Sequence, residues 1–135
     1  MPRLIAILIV CILAGCCAAR GPAGSGTHRP RVTGTFSSLH YSEESGDLGG
    51  MEISIIPADV AGEWQFFAVF QVAFGVPEEP ILVPAKITGS QVEFGFPGGG
   101  GFTGEVMEVG LRGTVTYQGG VQEIVTLPRK KSYWQ

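Results

Sequence analysis

Short stretches in which apolar and polar residues alternate are the feature that most constrains how this chain can fold. In residues 111–118, Leu111, Val115 and Tyr117 share one parity, and polar side chains occupy the other. A period of two places successive side chains on opposite faces of a strand, so each stretch predicts a strand with one buried face. Beyond residue 32, no window of a dozen residues shows a helical apolar stripe free of Gly and Pro. The sequence therefore predicts an all-β domain.

Turn residues divide this domain into eight predicted strands. Between two of them, Gly89-Ser90 predicts a two-residue type II′ hairpin turn, because Gly accepts the positive φ of its first position. Strands joined in sequence order favour a small antiparallel meander that closes into an eight-stranded up-and-down barrel. A β-sandwich is the alternative. In strand count and meander order the barrel is similar to lipocalin-like barrels. The predicted strands are residues 32–41, 50–56, 63–74, 81–88, 91–96, 102–108, 111–118 and 121–127.

Aromatic residues dominate the inward positions of this predicted barrel. An eight-stranded barrel is just wide enough either to be filled by side chains or to hold one small ligand. The size of these aromatic side chains favours a filled interior, and a cavity for a small apolar ligand is the alternative. The candidates for core or ligand-lining residues are Trp64, Phe66, Phe70, Phe94, Phe96, Phe102 and Tyr117.

The N-terminus has the features of an export signal. Arg3 precedes an apolar run over residues 4–13, which is short compared with the ~20 residues of a membrane-spanning helix. Leu13-Ala14-Gly15-Cys16 resembles the lipobox of bacterial lipoproteins. The resemblance covers residues 1–16 only. It implies cleavage before Cys16, attachment of diacylglycerol to the Cys16 thiol and acylation of the new amine, palmitate being such an acyl group.

Two other interpretations of the N-terminus stay open. Cys17-Ala18-Ala19 also fits an ordinary secretory cleavage site, which would release a secreted protein. A retained membrane helix is the third interpretation. In lipoproteins of diderm bacteria, Asp after the lipidated Cys favours the inner membrane. With Cys17 at that position, the resemblance implies the periplasmic face of the outer membrane.

The predicted organisation is therefore a signal peptide over 1–15, a lipidated Cys16 with a flexible tether over 16–31, and one β domain over 32–135. Gly, Pro, Ala and Ser dominate the tether, which has no periodic apolar positions. The domain ends in the basic-aromatic tail PRKKSYWQ. Its Tyr133 and Trp134 suit docking on the barrel or contact with a membrane interface.

Residue types for catalysis and cofactor binding are scarce. The two histidines are His28, in the tether, and His40, and no Gly-x-Ser-x-Gly motif accompanies them. Zinc ligands at the common spacings and a phosphate-binding loop are absent from the sequence. The acidic stretches around Glu43 and Glu78 could bind calcium, but they lack EF-hand spacing, and solvation of turns is their usual role. We expect no enzymatic activity, no metal and no cofactor.

Charge is distributed unevenly along the chain. All twelve acidic residues lie within residues 32–128, where Lys86 and Arg112 are the only Lys or Arg residues. Nucleic-acid binding is therefore disfavoured, because such a domain repels phosphate. The sequence predicts a lipid-anchored binding module of the cell envelope that meets another envelope protein through its acidic surface and loops. The alternative is a lipocalin-like carrier of a small apolar ligand.

Overall fold

The structure, a computed structural model, describes residues 31–131 and shows an all-β fold, as the sequence predicts. The signal sequence, Cys16, most of the tether, Tyr133 and Trp134 lie outside the described residues. Among residues 31–131 no helix is long or apolar enough to span a bilayer. The strands are β1 (Gly34–Ser37), β2 (His40–Tyr41), β3 (Leu48–Val60), β4 (Glu63–Pro77), β5 (Ile81–Thr88), β6 (Gln91–Gly95), β7 (Gly101–Val106), β8 (Gly110–Thr116) and β9 (Gln122–Pro128).

These strands form one antiparallel meander that nearly closes on itself. The pairing order is β1-β3-β4-β5-β6-β7-β8-β9, and the short β2 pairs with β3. At the seam between β1 and the end of β9, Phe36 forms a backbone bridge with Arg129. The Lys130 amide also donates a hydrogen bond to the Thr35 carbonyl at 2.8 Å. The protein is therefore a nearly closed up-and-down barrel, and not the alternative β-sandwich.

Side chains from every barrel strand fill the interior. Phe36, Ile53, Leu111 and Val115 are completely inaccessible to solvent. They belong to one continuous hydrophobic cluster that extends from β1 to β9. Burial of apolar area at about 25 cal/mol per Å² makes this cluster the main source of stability.

The β3–β4 hairpin departs from the prediction. β3 and β4 pair from Leu48 and Gly75 to Val60 and Glu63, whereas β5 pairs with β4 only between Phe66 and Phe70. The tip of the hairpin therefore projects beyond its β5 neighbour. The first predicted strand also differs, because it is interrupted after Ser37 and continues as β2.

The barrel has two ends, which its loops define. The mouth end carries the loops at 42–47, 78–80, 96–100 and 117–121. The opposite end, here the terminal end, carries the turns at 61–62, 89–90 and 107–109. Gly89-Ser90 is the predicted two-residue turn, and Gly89 has φ of 64°. Arg31 and Lys131 both lie at the terminal end, because β1 begins there and β9 ends there.

Candidate functional site at the mouth of the barrel

A pocket of about 250 Å³ opens at the mouth end. It lies between the second half of β4 and the loops that follow β4, β6 and β8. Its walls are mainly apolar, and two carboxylates stand among the lining residues. The lining residues are Phe70, Val72, Phe74, Glu78, Glu79, Ile81, Phe96, Pro97, Gly99, Tyr117 and Gln118.

Aromatic rings form the lower part of this pocket and continue into the core. The Phe70 and Phe96 rings lie 4.7 Å apart, centroid to centroid. Phe94 is 5.8 Å from Phe96, edge to face, and stacks on Phe102 at 5.3 Å. Such ring pairs stabilise beyond simple area burial. The pocket therefore rests on a packed aromatic layer and does not extend through the barrel.

The loop after β4 places two acidic residues at the rim. The Glu78 amide donates a hydrogen bond to the Val72 carbonyl at 2.9 Å. The Glu78 carbonyl accepts a second hydrogen bond, also of 2.9 Å, from Gln71 Nε2. These bonds fix the backbone of Glu78 from both sides, while the side chains of Glu78 and Glu79 remain exposed. The backbone at Glu78 is therefore held in place, and both carboxylates face solvent at the rim.

Tyr117 supplies the polar group on the opposite wall. Its hydroxyl donates a hydrogen bond to Glu123 Oε2 at 2.7 Å. Burial, then the hydrogen bond and negative charge of Glu123, and the charge of Glu78 raise the pKa of Tyr117 to about 12. The Tyr117 hydroxyl stays protonated at neutral pH and keeps lone pairs free to accept a hydrogen bond.

Glycines allow the β6–β7 loop to approach the rest of the mouth. Gly100 has φ of 82°, and a Cβ atom there would lie 2.1 Å from the Thr116 carbonyl oxygen. Only glycine accepts both the backbone angle and the close contact. The glycine-rich stretch thereby brings Phe96 and Pro97 to the pocket wall. Gly100 and Gly101 therefore have a packing role, whereas a Cβ atom at Gly98 or Gly99 would meet nothing within 4 Å.

Positive charge is confined to one half of the barrel, whereas the acidic residues are spread over both halves. Half of the acidic residues lie at the mouth end: Glu43, Glu44, Asp47, Glu78, Glu79 and Glu123. Within residues 31–131, every Lys and Arg lies in the half of the barrel next to the terminal end: Arg31, Lys86, Arg112, Arg129, Lys130 and Lys131. The mouth therefore presents an uncompensated negative field around an apolar pocket.

No family model, no curated protein and no solved structure matches the chain.

The structure brings together part of the aromatic set predicted from the sequence. Phe70, Phe96 and Tyr117 line the pocket. Phe94 and Phe102 are buried beneath it. Phe66 is half-buried against the core nearer the terminal end.

The prediction that Trp64 points into the barrel is wrong. Its parity on β4 is that of the buried Ala68 and Phe70, but its side chain is 74% exposed. The reason is that Trp64 pairs with Asp59 in the projecting hairpin tip, beyond the last residue of β4 that pairs with β5. Alternation identifies the face of a strand, and it does not show where the barrel ends.

Eight lining residues do not belong to the predicted set: Val72, Phe74, Glu78, Glu79, Ile81, Pro97, Gly99 and Gln118. The stretch GVPEEP did provide a signal, since two adjacent carboxylates between prolines are held in a restricted loop. Among residues 31–131 no three His, Cys, Asp or Glu side chains are grouped closely enough to hold a metal ion. His40 Nδ1 lies 3.1 Å from the Ser38 carbonyl, away from the pocket lining.

Proposed function

We propose that this protein is a lipid-anchored binding module of the bacterial cell envelope, whose acidic mouth meets another envelope protein. The observation that carries the proposal is the position of the mouth. Its pocket and six carboxylates lie at the end of the barrel opposite Arg31, where the described chain begins. The proposal includes no catalytic step.

The anchor in this proposal is Cys16. A lipid there would hold the terminal end of the barrel towards the membrane, since the tether joins the barrel at that end. A Gly-rich tether of this length reaches on the order of 20 Å. The mouth would then face away from the bilayer. In a diderm host we place the protein on the periplasmic face of the outer membrane, and the alternative is secretion after cleavage near Ala19.

The partner surface combines charge with exposed apolar groups. Phe74 and Val76 are 72% and 70% exposed and lie beside the acidic loop after β4. Aromatic residues are enriched at the centres of protein interfaces, and charged residues at the rim steer association. A partner with a basic, partly apolar surface complements this end of the barrel.

A carrier of a small apolar ligand is the second candidate, and the mouth pocket favours it. At about 250 Å³ the pocket lies just below the ~300 to 1,000 Å³ of typical ligand sites. The filled interior restricts any such ligand to the mouth, because Phe94 and Phe102 occupy the space beneath it.

The anchor is tested by expressing the full chain and its Cys16→Ser variant in a bacterium. We expect the wild-type protein in the membrane fraction with the mass of a diacylglyceryl group, and the variant without that mass. Cys17→Ser is the matched control and should retain the lipid. If the wild-type chain is cleaved near Ala19 and carries no added mass, the protein is secreted and the lipid anchor is refuted.

The partner contact is tested by site-specific photo-crosslinking in cells. A photoreactive residue at exposed Glu44 samples the mouth, and one at Val109, which is 73% exposed, samples the terminal end. We expect one protein adduct from position 44 and none of that mass from position 109. The adduct should disappear in a Glu78→Lys/Glu79→Lys background. An adduct that forms equally from both positions would contradict the assignment of the mouth.

A further inference from the structure

We propose that the mouth pocket binds a small molecule in which an apolar, ring-sized group carries a positively charged nitrogen. This inference goes beyond the protein partner of the proposed function and does not depend on it or on the lipid anchor. It rests on an apolar pocket and a negatively charged rim that belong to the same cavity.

The apolar half of the site is the space above the Phe70–Phe96 pair. Val72 and Ile81 complete its walls, and Phe70 and Val72 are almost fully buried. The pocket is open to solvent on one side, so a group the size of one ring could enter without unfolding a strand. Removal of this apolar surface from water favours binding of an apolar group, and it does so equally for cationic, anionic and neutral ligands.

The charged half of the site determines which charge the ligand must carry. Glu78 and Glu79 belong to the lining, and Glu123 holds the Tyr117 hydroxyl on the opposite wall. Within residues 31–131 no Lys or Arg lines the pocket. A cation is therefore attracted from several directions, whereas an anion is repelled by the same groups.

Aromatic faces at the rim suit the same cation. Phe74 lines the pocket while 72% of its surface remains exposed, so its ring is open to an approaching ligand. An ammonium group over such a face gains cation–π attraction in addition to its contact with carboxylates. A bare metal ion fits less well, because the lining supplies two carboxylates and mainly carbon.

Three probes with nearly the same apolar body test the assignment: 2-phenylethylammonium, 2-phenylethanol and 3-phenylpropionate. Their affinities are measured by ligand-observed NMR on the full chain in neutral lipid nanodiscs, with empty nanodiscs as the blank. We expect saturable binding of the ammonium, about tenfold tighter than that of the anion, with the alcohol between them. Added salt should weaken binding of the ammonium, leave the alcohol nearly unchanged and strengthen the anion slightly, because salt screens attraction and repulsion alike.

Two variants separate the charged half from the apolar half. Glu78→Gln/Glu79→Gln should weaken the ammonium about fivefold and leave the alcohol unchanged. Phe96→Leu should weaken the ammonium and the alcohol together. The matched control is Glu43→Gln/Glu44→Gln, which removes the same charge at the same end of the barrel but outside the pocket lining. This control should change ammonium binding less than the Glu78→Gln/Glu79→Gln pair does.

The proposal is overturned if no probe binds saturably, if the three probes bind equally, or if the two glutamine pairs have equal effects. Circular dichroism of each variant establishes that the barrel is folded. None of these outcomes decides the proposed function, because the cross-link from position 44 is measured without any of the probes.

Discussion

The guanidinium group of Arg129 lies over the ring of Phe36, with Cζ 4.5 Å from the ring centroid. Arg129 also donates hydrogen bonds to the Thr33 carbonyl, at 2.9 Å, and to the Arg31 carbonyl. One side chain thus joins the segment before β1 to the residues after β9, at the seam where the barrel closes. The sequence presents this residue only as part of a basic tail.

Replacement of Arg129 by Ala should therefore destabilise the barrel by about 1–2 kcal/mol, from loss of the cation–π contact and of charged hydrogen bonds to the backbone. Arg129→Lys should recover only part of the loss, because an ammonium cannot reach both carbonyls as a planar guanidinium does. Urea unfolding measures both, and exposed Lys131→Ala is the control. Equal stability of the Arg129→Ala and Lys131→Ala variants would refute the role of Arg129 at the seam.

Gly104 should not tolerate even a methyl group. A Cβ atom there would lie 2.4 Å from Phe102 Cζ and 2.5 Å from the Arg112 carbonyl oxygen. Forcing atoms into a filled core costs about 1–3 kcal/mol, so Gly104→Ala should lower the midpoint of urea unfolding clearly. Gly95→Ala is the matched control, because its Cβ would meet only one atom, at 3.8 Å. If the two variants unfold at the same urea concentration, the packing around Phe102 is looser than described.

The Tyr117 hydroxyl should lose its proton at a higher pH than an ordinary tyrosine does. Its pKa of about 12, against 10.0 for an ordinary tyrosine, means that folding favours the protonated hydroxyl. The resulting stabilisation is present below pH 10 and is lost as the pH rises from 10 to 12. Tyrosinate absorbance, as the difference between wild type and Tyr117→Phe, measures the shift. Glu123→Gln should move the titration part of the way towards pH 10, since burial and Glu78 still act. Ionisation of Tyr117 near pH 10 in the folded wild type would contradict this prediction.

Truncation of Trp64 and truncation of Phe94 should have very different effects on stability, although both residues have the inward parity of the alternation pattern. Phe94 is 4% exposed, and its truncation to Ala should cost about 3–5 kcal/mol. Trp64 is 74% exposed, and Trp64→Ala should change stability by less than about 0.5 kcal/mol. In a Trp134→Phe background, acrylamide should quench Trp64 fluorescence efficiently. Strong protection from acrylamide would place Trp64 against a surface that covers the hairpin.

Local patterns predicted most of the strands because alternation and turn chemistry act over a few residues. Residues 81–88 and the Gly89-Ser90 turn agree with the structure without adjustment. Trp64 could not be placed in this way, since its exposure depends on where a neighbouring strand stops. The pocket could not be predicted either. It combines β4 and the loop that follows it with two loops farther along the chain, and only the curvature of the barrel brings Phe74, Phe96 and Tyr117 around one opening.

The seam at Arg129 also has a consequence for the order in which the molecule matures. The hydrogen bond from Arg129 to the Thr33 carbonyl joins positions 96 residues apart. Because a chain is synthesised from its N-terminus, β1 is exposed long before the segment that covers it has been made. Until then, one side of β1 is an unpaired edge that can recruit strands from other chains. Premature termination anywhere before residue 129 would make that state permanent, and such fragments should aggregate rather than fold as smaller barrels.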